Sequence, residues 1–328
     1  MKRLPKYRIA CLVSLTFILI FIGSGYPQGA DVAKYPTRAV TYVDPITPGG
    51  PTDLAIRLIS KEAEKFLGQP IAVVNKTGGA GSIGLAVIAA SRADGYTIGY
   101  SPHSAIYVAP VVEKVPYDPI KSIQHIMQFG GFNFGAVVKS DSPFKTFKDL
   151  IAYARKNPKG LTCGTTGPVS MQYLITEYIA KKEKVQFAHI PFKGNVEMTT
   201  GLIGGHIAFG VGDFNYSLIE SGQIRLLLLL RDEPSSEYPQ TPILKDLGYD
   251  IPAPMALNVA GPRGIPKEIV AKIEDAYTRA MKTPAFIKGM KEDLRLPIIY
   301  RGSNELDRYV AHNVEIYARL LRESGGAK

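Results

Sequence analysis

Little in this sequence could crosslink the chain or hold a structural metal. Of its 328 residues only two are cysteines, Cys11 and Cys163. Cys11 lies within the first 30 residues, and the single thiol beyond them can form no internal disulfide. A cysteine-rich zinc site is excluded by the same count. The five histidines, His103, His125, His189, His206 and His312, contain no i, i+4 pair and no H-E-x-x-H. No metal or other cofactor is therefore expected. There is no G-x-S-x-G elbow, which argues against an α/β-hydrolase. Repeats, low-complexity tracts, charge blocks and flexible linkers are also missing. Only one long apolar run exists, the 14 residues Ile9 to Ile22. As a helix it would rise about 21 Å, too short for a hydrocarbon core roughly 30 Å thick.

What is present is an ordinary globular mixture, 45% hydrophobic and 21% charged. That excludes a disordered chain, a collagen and a multi-span membrane protein. The length suits about two domains. The formal net charge of +10 is unevenly placed. Four of the 39 basic side chains, Lys2, Arg3, Lys6 and Arg8, stand in a stretch of 30 residues without an acid. The remaining 35 face 29 acidic ones, a net +6, which mildly favours anionic partners without arguing for nucleic acid. A basic start, a short apolar stretch and a small-residue exit predict a secretory signal peptide over residues 1–30. An exported protein without disulfides fits the bacterial periplasm or the cell exterior.

Beyond the leader, strand and helix patterns alternate. Ala39 to Val43 reads as a strand, Leu54 to Phe66 as a helix, Ile71 to Val74 as a strand, Ile83 to Ala93 as a helix and Tyr96 to Tyr100 as a strand. This rhythm predicts an α/β fold built on parallel sheet with right-handed crossovers. The middle repeats it through Gly135–Val138, Leu161–Gly164, Gln186–Ile190 and Ile207–Val211. Arg225 to Leu230 is so apolar that burial on both faces is expected. Helices are expected over 266–281, 285–294 and 303–323.

Two loops stand out between a strand's carboxyl end and a helix start, the edge where open α/β sheets bind ligands. One runs from Pro45 to Asp53 and the other from Thr165 to Ser170. Glycines there allow close backbone approach, and helix N-termini offer free N–H groups to an anion. Both loops also read simply as tight turns. Gly79-x-Gly81-x-x-Gly84 matches a dinucleotide fingerprint, but it follows the second strand and lacks the acidic residue about 20 positions on, so a structural turn is favoured. Cys163 reads as a buried, inert thiol rather than a nucleophile. Asp213, at another strand end, can hold a ligand's amine or hydroxyl or cap the next helix.

The ordered motifs resemble one family across nearly the whole chain beyond the leader. They comprise Tyr35-Pro36-Thr37-Arg38, Pro45-x-x-Pro48-Gly49-Gly50-x-x-Asp53, Leu67-Gly68-Gln69-Pro70 and Val74-Asn75-Lys76-x-Gly78-Gly79-Ala80-Gly81-Ser82-Ile83-Gly84. Asp94-Gly95-Tyr96-Thr97-Ile98, His189-Ile190-Pro191-Phe192-Lys193-Gly194, Gly204-Gly205-His206-Ile207, Gly222-Gln223-Ile224-Arg225 and Gly264-Ile265-Pro266-Lys267-Glu268 complete the set. The chain resembles the Bug family, the periplasmic substrate-binding proteins of tripartite tricarboxylate transporters.

The resemblance implies a two-lobed, type II Venus-flytrap fold, each lobe a mostly parallel sheet flanked by helices. Residues 31–132 with 255–328 would form one lobe and 133–254 the other. It implies a monomeric receptor, not an enzyme, that takes a small organic acid to a membrane permease. The ligand set is expected among Ile46, Thr47, Pro48, Gly49, Gly50, Thr52, Asp53, His103, Thr165, Thr166, Gly167, Ser170, Tyr173, Phe192, Lys193 and Asp213. Two departures touch this set. Asp44-Pro45-Ile46 stands where the family commonly has V-P-F, and Ser170-x-x-Tyr173 where it often has Ser-x-x-His. The rival readings are a ligand sensor or co-receptor, which shares the cleft, and a secreted hydrolase using Cys163 or Asp213.

Overall fold

A computed structural model describes residues 33–323 except Val169 and Asn215; the expected signal peptide lies outside them. The chain opens with β1 (Val40–Asp44) and α1 (Pro51–Leu67). Pro51 at the first helical position lacks the N–H that would otherwise go unpaired, and Gly68 ends the helix in the left-handed region at φ 79°. β2 (Ile71–Asn75), α2 (Ser82–Ala89) and β3 (Thr97–Gly99) follow. α2 stops four residues short of Ala93, where Ser91 Oγ bonds back to the Val87 carbonyl at 2.7 Å. A short α3 (Ala109–Val112) leads to β4 (Ile123–Gly131). Phe132 and Asn133 then carry the chain into β5 (Phe134–Lys139), part of a different sheet.

The second lobe continues through α4 (Phe147–Lys156), β6 (Thr162–Thr165), α5 (Met171–Glu183), β7 (Ala188–Pro191), α6 (Asn195–Ile203), β8 (Phe209–Asp213), α7 (Tyr216–Glu220) and β9 (Ile224–Leu229). α4 is fixed at its start by reciprocal bonds between Thr146 and Asp149. Residues 230–255 return the chain to β10 (Ala256–Pro262). α8 (Lys267–Ala280), α9 (Pro284–Lys288), β11 (Arg301–Gly302) and α10 (Ser303–Glu323) finish the described fold.

The first sheet has the order β11-β4-β10-β3-β1-β2 and the second β7-β6-β8-β5-β9. In the first, β10 runs antiparallel between β3 and β4, and β11 is antiparallel to β4. In the second, β5 alone opposes its neighbours β8 and β9. Most strands in each sheet therefore share one direction, as the crossover pattern requires, but both sheets are mixed. One expectation is corrected: the apolar run around Arg225–Leu230 forms an edge strand, with Arg225 and Leu226 only half-buried. Its outer side is covered in part by a parallel bridge from Leu229 to Ile243.

One core lies under α1 and α8, where Ile56, Ile59, Ile273 and Tyr277 pack against the first sheet. Another joins the lobes, with Leu85 and Ile88 of α2, Leu174 and Ile175 of α5, and Tyr317 and Leu321 of α10 in one cluster. The turns after β1, β2 and β3 thus sit at one sheet's carboxyl edge, and those after β6, β7 and β8 at the other's.

Candidate functional site

The loop after β1 is shaped by a buried polar hub. Asp53 Oδ2 accepts from the Gly49 amide and from Arg57 Nε, both at 2.9 Å. Asn75 Nδ2 lies 2.9 Å from Asp53 Oδ1, 3.0 Å from the Ile46 carbonyl and 3.1 Å from Asp44 Oδ2. Asp44 Oδ1 accepts from the Ile46 amide at 3.0 Å. Burial alone would raise the Asp53 pKa, but the bonds from Arg57, Asn75 and Gly49 outweigh it and hold this carboxyl well below the usual range. Asp53 and Gly49 N–H are thereby committed within the protein. The amides of Thr47 and Gly50 have no acceptor among the described residues, and α1 has no side-chain cap. Thr47, Pro48 and Gly49 are exposed, and Gly50 and Thr52 half-buried.

The second loop is closed on itself. Ser170 Oγ donates to the Gly167 carbonyl at 2.8 Å and accepts from the Tyr173 amide at 3.2 Å, capping α5. Thr165 is buried at the end of β6, and Thr166 and Gly167 are half-buried. The neighbouring parallel strand β8 ends at Asp213.

An interlobe cavity of about 540 Å³ has Asp213 in its wall, but none of the other expected ligand residues of the two loops lines it. Its walls bring together Pro51 at the start of α1, Asn195 at the start of α6, Asp213, Phe214 and Arg295. α6, like α1, has no side-chain cap, and Asn195 Oδ1 is buried without a partner. Burial pushes the Asp213 carboxyl up to about 6, against a smaller opposing effect of the Phe214 amide. Phe214 and Arg295 had no distinguishing signal in the sequence, being brought here only by the approach of the lobes. His103 sits elsewhere between the lobes, edge-on to Phe132 at 6.1 Å and Phe134 at 6.2 Å in the first crossing. Burial pushes its imidazole down to about 4, so it is neutral at pH 7, and its Nδ1 is unpartnered.

Other sequence-chosen residues serve packing. The Phe192 ring lies over Gly164 and Gly201, where an added Cβ would come within 3.0 and 3.1 Å of it. Lys193 is exposed, and its amide donates to Glu197. Gly84 of the fingerprint-like turn lies where a Cβ would be 2.7 Å from the Lys76 carbonyl and 2.9 Å from Pro45. That close approach accounts for the glycine without a nucleotide. Cys163 is fully buried and its thiol is raised well above its ordinary value, so no thiolate is available. Among the described residues no cluster of three or more metal-ligating side chains occurs.

Residues 55–325 match the family described as tripartite tricarboxylate transporter family receptor. The chain belongs to that receptor family. It is 34% identical to a Cupriavidus necator protein, "UPF0065 protein in gbd 5'region", over 92% of both chains. It is 27% identical to the Bordetella pertussis protein BugT over 95% of this chain and 97% of that one. An R. palustris protein solved with adipate has 25% identity and a TM-score of 0.70, covering 89% of this chain and 98% of its own. This receptor is a solute-binding protein, not an enzyme, as the resemblance implied.

Against the family pattern, Ile46 packs on the first lobe's core and presents only its backbone to the polar hub. The Tyr173 ring lies 4.6 Å from the His189 ring and packs on the shared core.

Proposed function

We propose that this receptor works in the periplasm, captures a small organic carboxylate between its lobes and delivers it to a tripartite tricarboxylate permease. The observation that carries this reading is the interlobe cavity walled by two uncapped helix starts, α1 and α6. Free amides and positive dipole character at such ends suit a carboxylate, and Arg295 in the same wall, paired with Glu220 at 2.8 Å, adds positive charge. The adipate complex of the R. palustris relative supports the same class of ligand. Asp213 suits the other end of the molecule, where a hydroxyl or amine would meet it; beside a carboxylate its charge would repel. The neutral loop Thr165–Ser170 follows β6, which pairs with β8, and would reach the ligand as the lobes close.

Organic acids extracted from freshly purified protein and identified by mass spectrometry name the ligand. Calorimetry and melting shifts with mono- and dicarboxylates then test it. Thr165→Ala or Ser170→Ala should weaken binding about tenfold in a folded protein, and Asp213→Ala should reduce the preference for hydroxy or amino acids over plain ones. Folded protein that responds to none of a broad acid panel overturns the reading.

A further inference from the structure

A groove of about 880 Å³ runs between α10 and residues 244–252 of the return crossing. It shares no lining residue with the interlobe cavity. Two side chains in its wall carry polar groups that the fold leaves unmet. Arg231 is 8% exposed, yet its Nε and Nη1 are buried without a hydrogen-bond partner. Asn313 of α10 is 0% exposed, and both its Oδ1 and Nδ2 are unpartnered. A buried guanidinium and a buried amide are each costly unless something pairs with them.

The neighbouring acids do not meet this need. Asp232 accepts from the Ala253 amide at 2.9 Å and from Tyr309 Oη. Glu233 pairs with Arg301. Burial raises the Glu233 pKa and the Arg301 and Arg231 charges oppose the rise, but no hydrogen bond joins Glu233 to Arg231. Farther along the groove, exposed Lys245, His312 and Arg319 stand with exposed Asp250 and Glu315, which leaves Arg231 as the buried charge.

We propose that this groove is a second binding site, for a small oxyanion that also carries a hydroxyl. The guanidinium of Arg231 would hold the negative oxygens. The Asn313 amide offers both a donor and an acceptor, so a group that accepts and donates, such as a hydroxyl, satisfies it. Hydroxycarboxylates and hydrogen phosphate share this chemistry; acetate and sulfate lack the hydroxyl. The bound anion would join the second lobe to α10 of the first.

Calorimetric titration of the purified protein with glycolate, inorganic phosphate, acetate and sulfate tests the site and separates the two sources. Saturable binding of glycolate or phosphate is expected, at least tenfold tighter than of acetate or sulfate. Arg231→Met and Asn313→Leu should each remove the phosphate binding and, for glycolate, the component that persists when Thr165→Ala is combined with Ser170→Ala. In anion-poor buffer Arg231→Met should melt no lower than the wild type, because an unpaired buried charge is gone. Absence of saturable binding to the wild type overturns the proposal. So does phosphate binding that survives both groove variants, or phosphate binding that disappears with the cleft double variant.

Discussion

Asp44 and Asp53 are both buried, yet their surroundings move their titrations in opposite directions. Asp53 is met by a guanidinium, an amide side chain and a backbone N–H, and stays charged. Burial pushes Asp44 up to about 7, with the bond from the Ile46 amide opposing and the nearby Asp53 adding to the rise. Asn75 Nδ2 has two hydrogens and three acceptors within reach, so a proton on Asp44 relieves the shortage. Because the folded pKa lies above the unfolded value, the stabilisation is complete below about pH 4 and is lost as pH rises through about 7. Melting temperature followed from pH 5 to 8 should therefore fall in the wild type and fall less in Asp44→Asn. Asp213, raised to about 6, contributes slope of the same sign and accounts for what remains. Equal slopes in the two proteins would remove Asp44 from the account. Its partner Asn75 is 31 positions away, and only the pairing of β1 with β2 brings it near.

At the scale of elements, local signals served best where the chain supplied its own stop signals. Thr146 with Asp149 starts α4, Gly68 ends α1, and α10 covers 303–323 as the periodicity predicts. The antiparallel pair β4 and β10 was invisible beforehand. IQHIMQFGG mixes polar with apolar residues, and ALNVAGP carries glycine and proline, so neither shows a clean strand period. Their burial is supplied by each other and by the helices above them. The glycine turn before α2 shows a second limit: its spacing suggests a ligand, while contact with Pro45 and Lys76 explains Gly84. Gly84→Ala should lower stability by about 1–3 kcal/mol through overpacking. It should also weaken carboxylate binding, because Pro45 begins the first loop. Urea melts and calorimetry read the two effects; unchanged values for both would show that α2 shifts freely.

The whole molecule is held in its two-lobed form by contacts around the crossings. Arg301 Nη1 donates to Gln128 Oε1 of β4 at 2.6 Å, and the same guanidinium pairs with Glu233 and approaches Asp232 to 3.8 Å in the return crossing. Arg301→Met should cost about 2–3 kcal/mol, since charge-assisted bonds to partly buried acids are lost. Denaturant unfolding checks this, and a midpoint equal to wild type would show the network to be unimportant. The Phe132–Asn133 crossing, with His103 packed against it, joins the two sheets.

By itself the sequence determined the α/β rhythm, the candidate loops and the family, because glycines, prolines and strand–helix periods act over a few residues. Tertiary structure alone decided that β10 lies between β3 and β4, that Asp53 faces inward to Arg57 and Asn75, and that Pro51, Asn195 and Asp213 wall one cavity. Those outcomes depend on residues far apart in the chain, whose burial, desolvation and hydrogen bonds exist only after the lobes have packed.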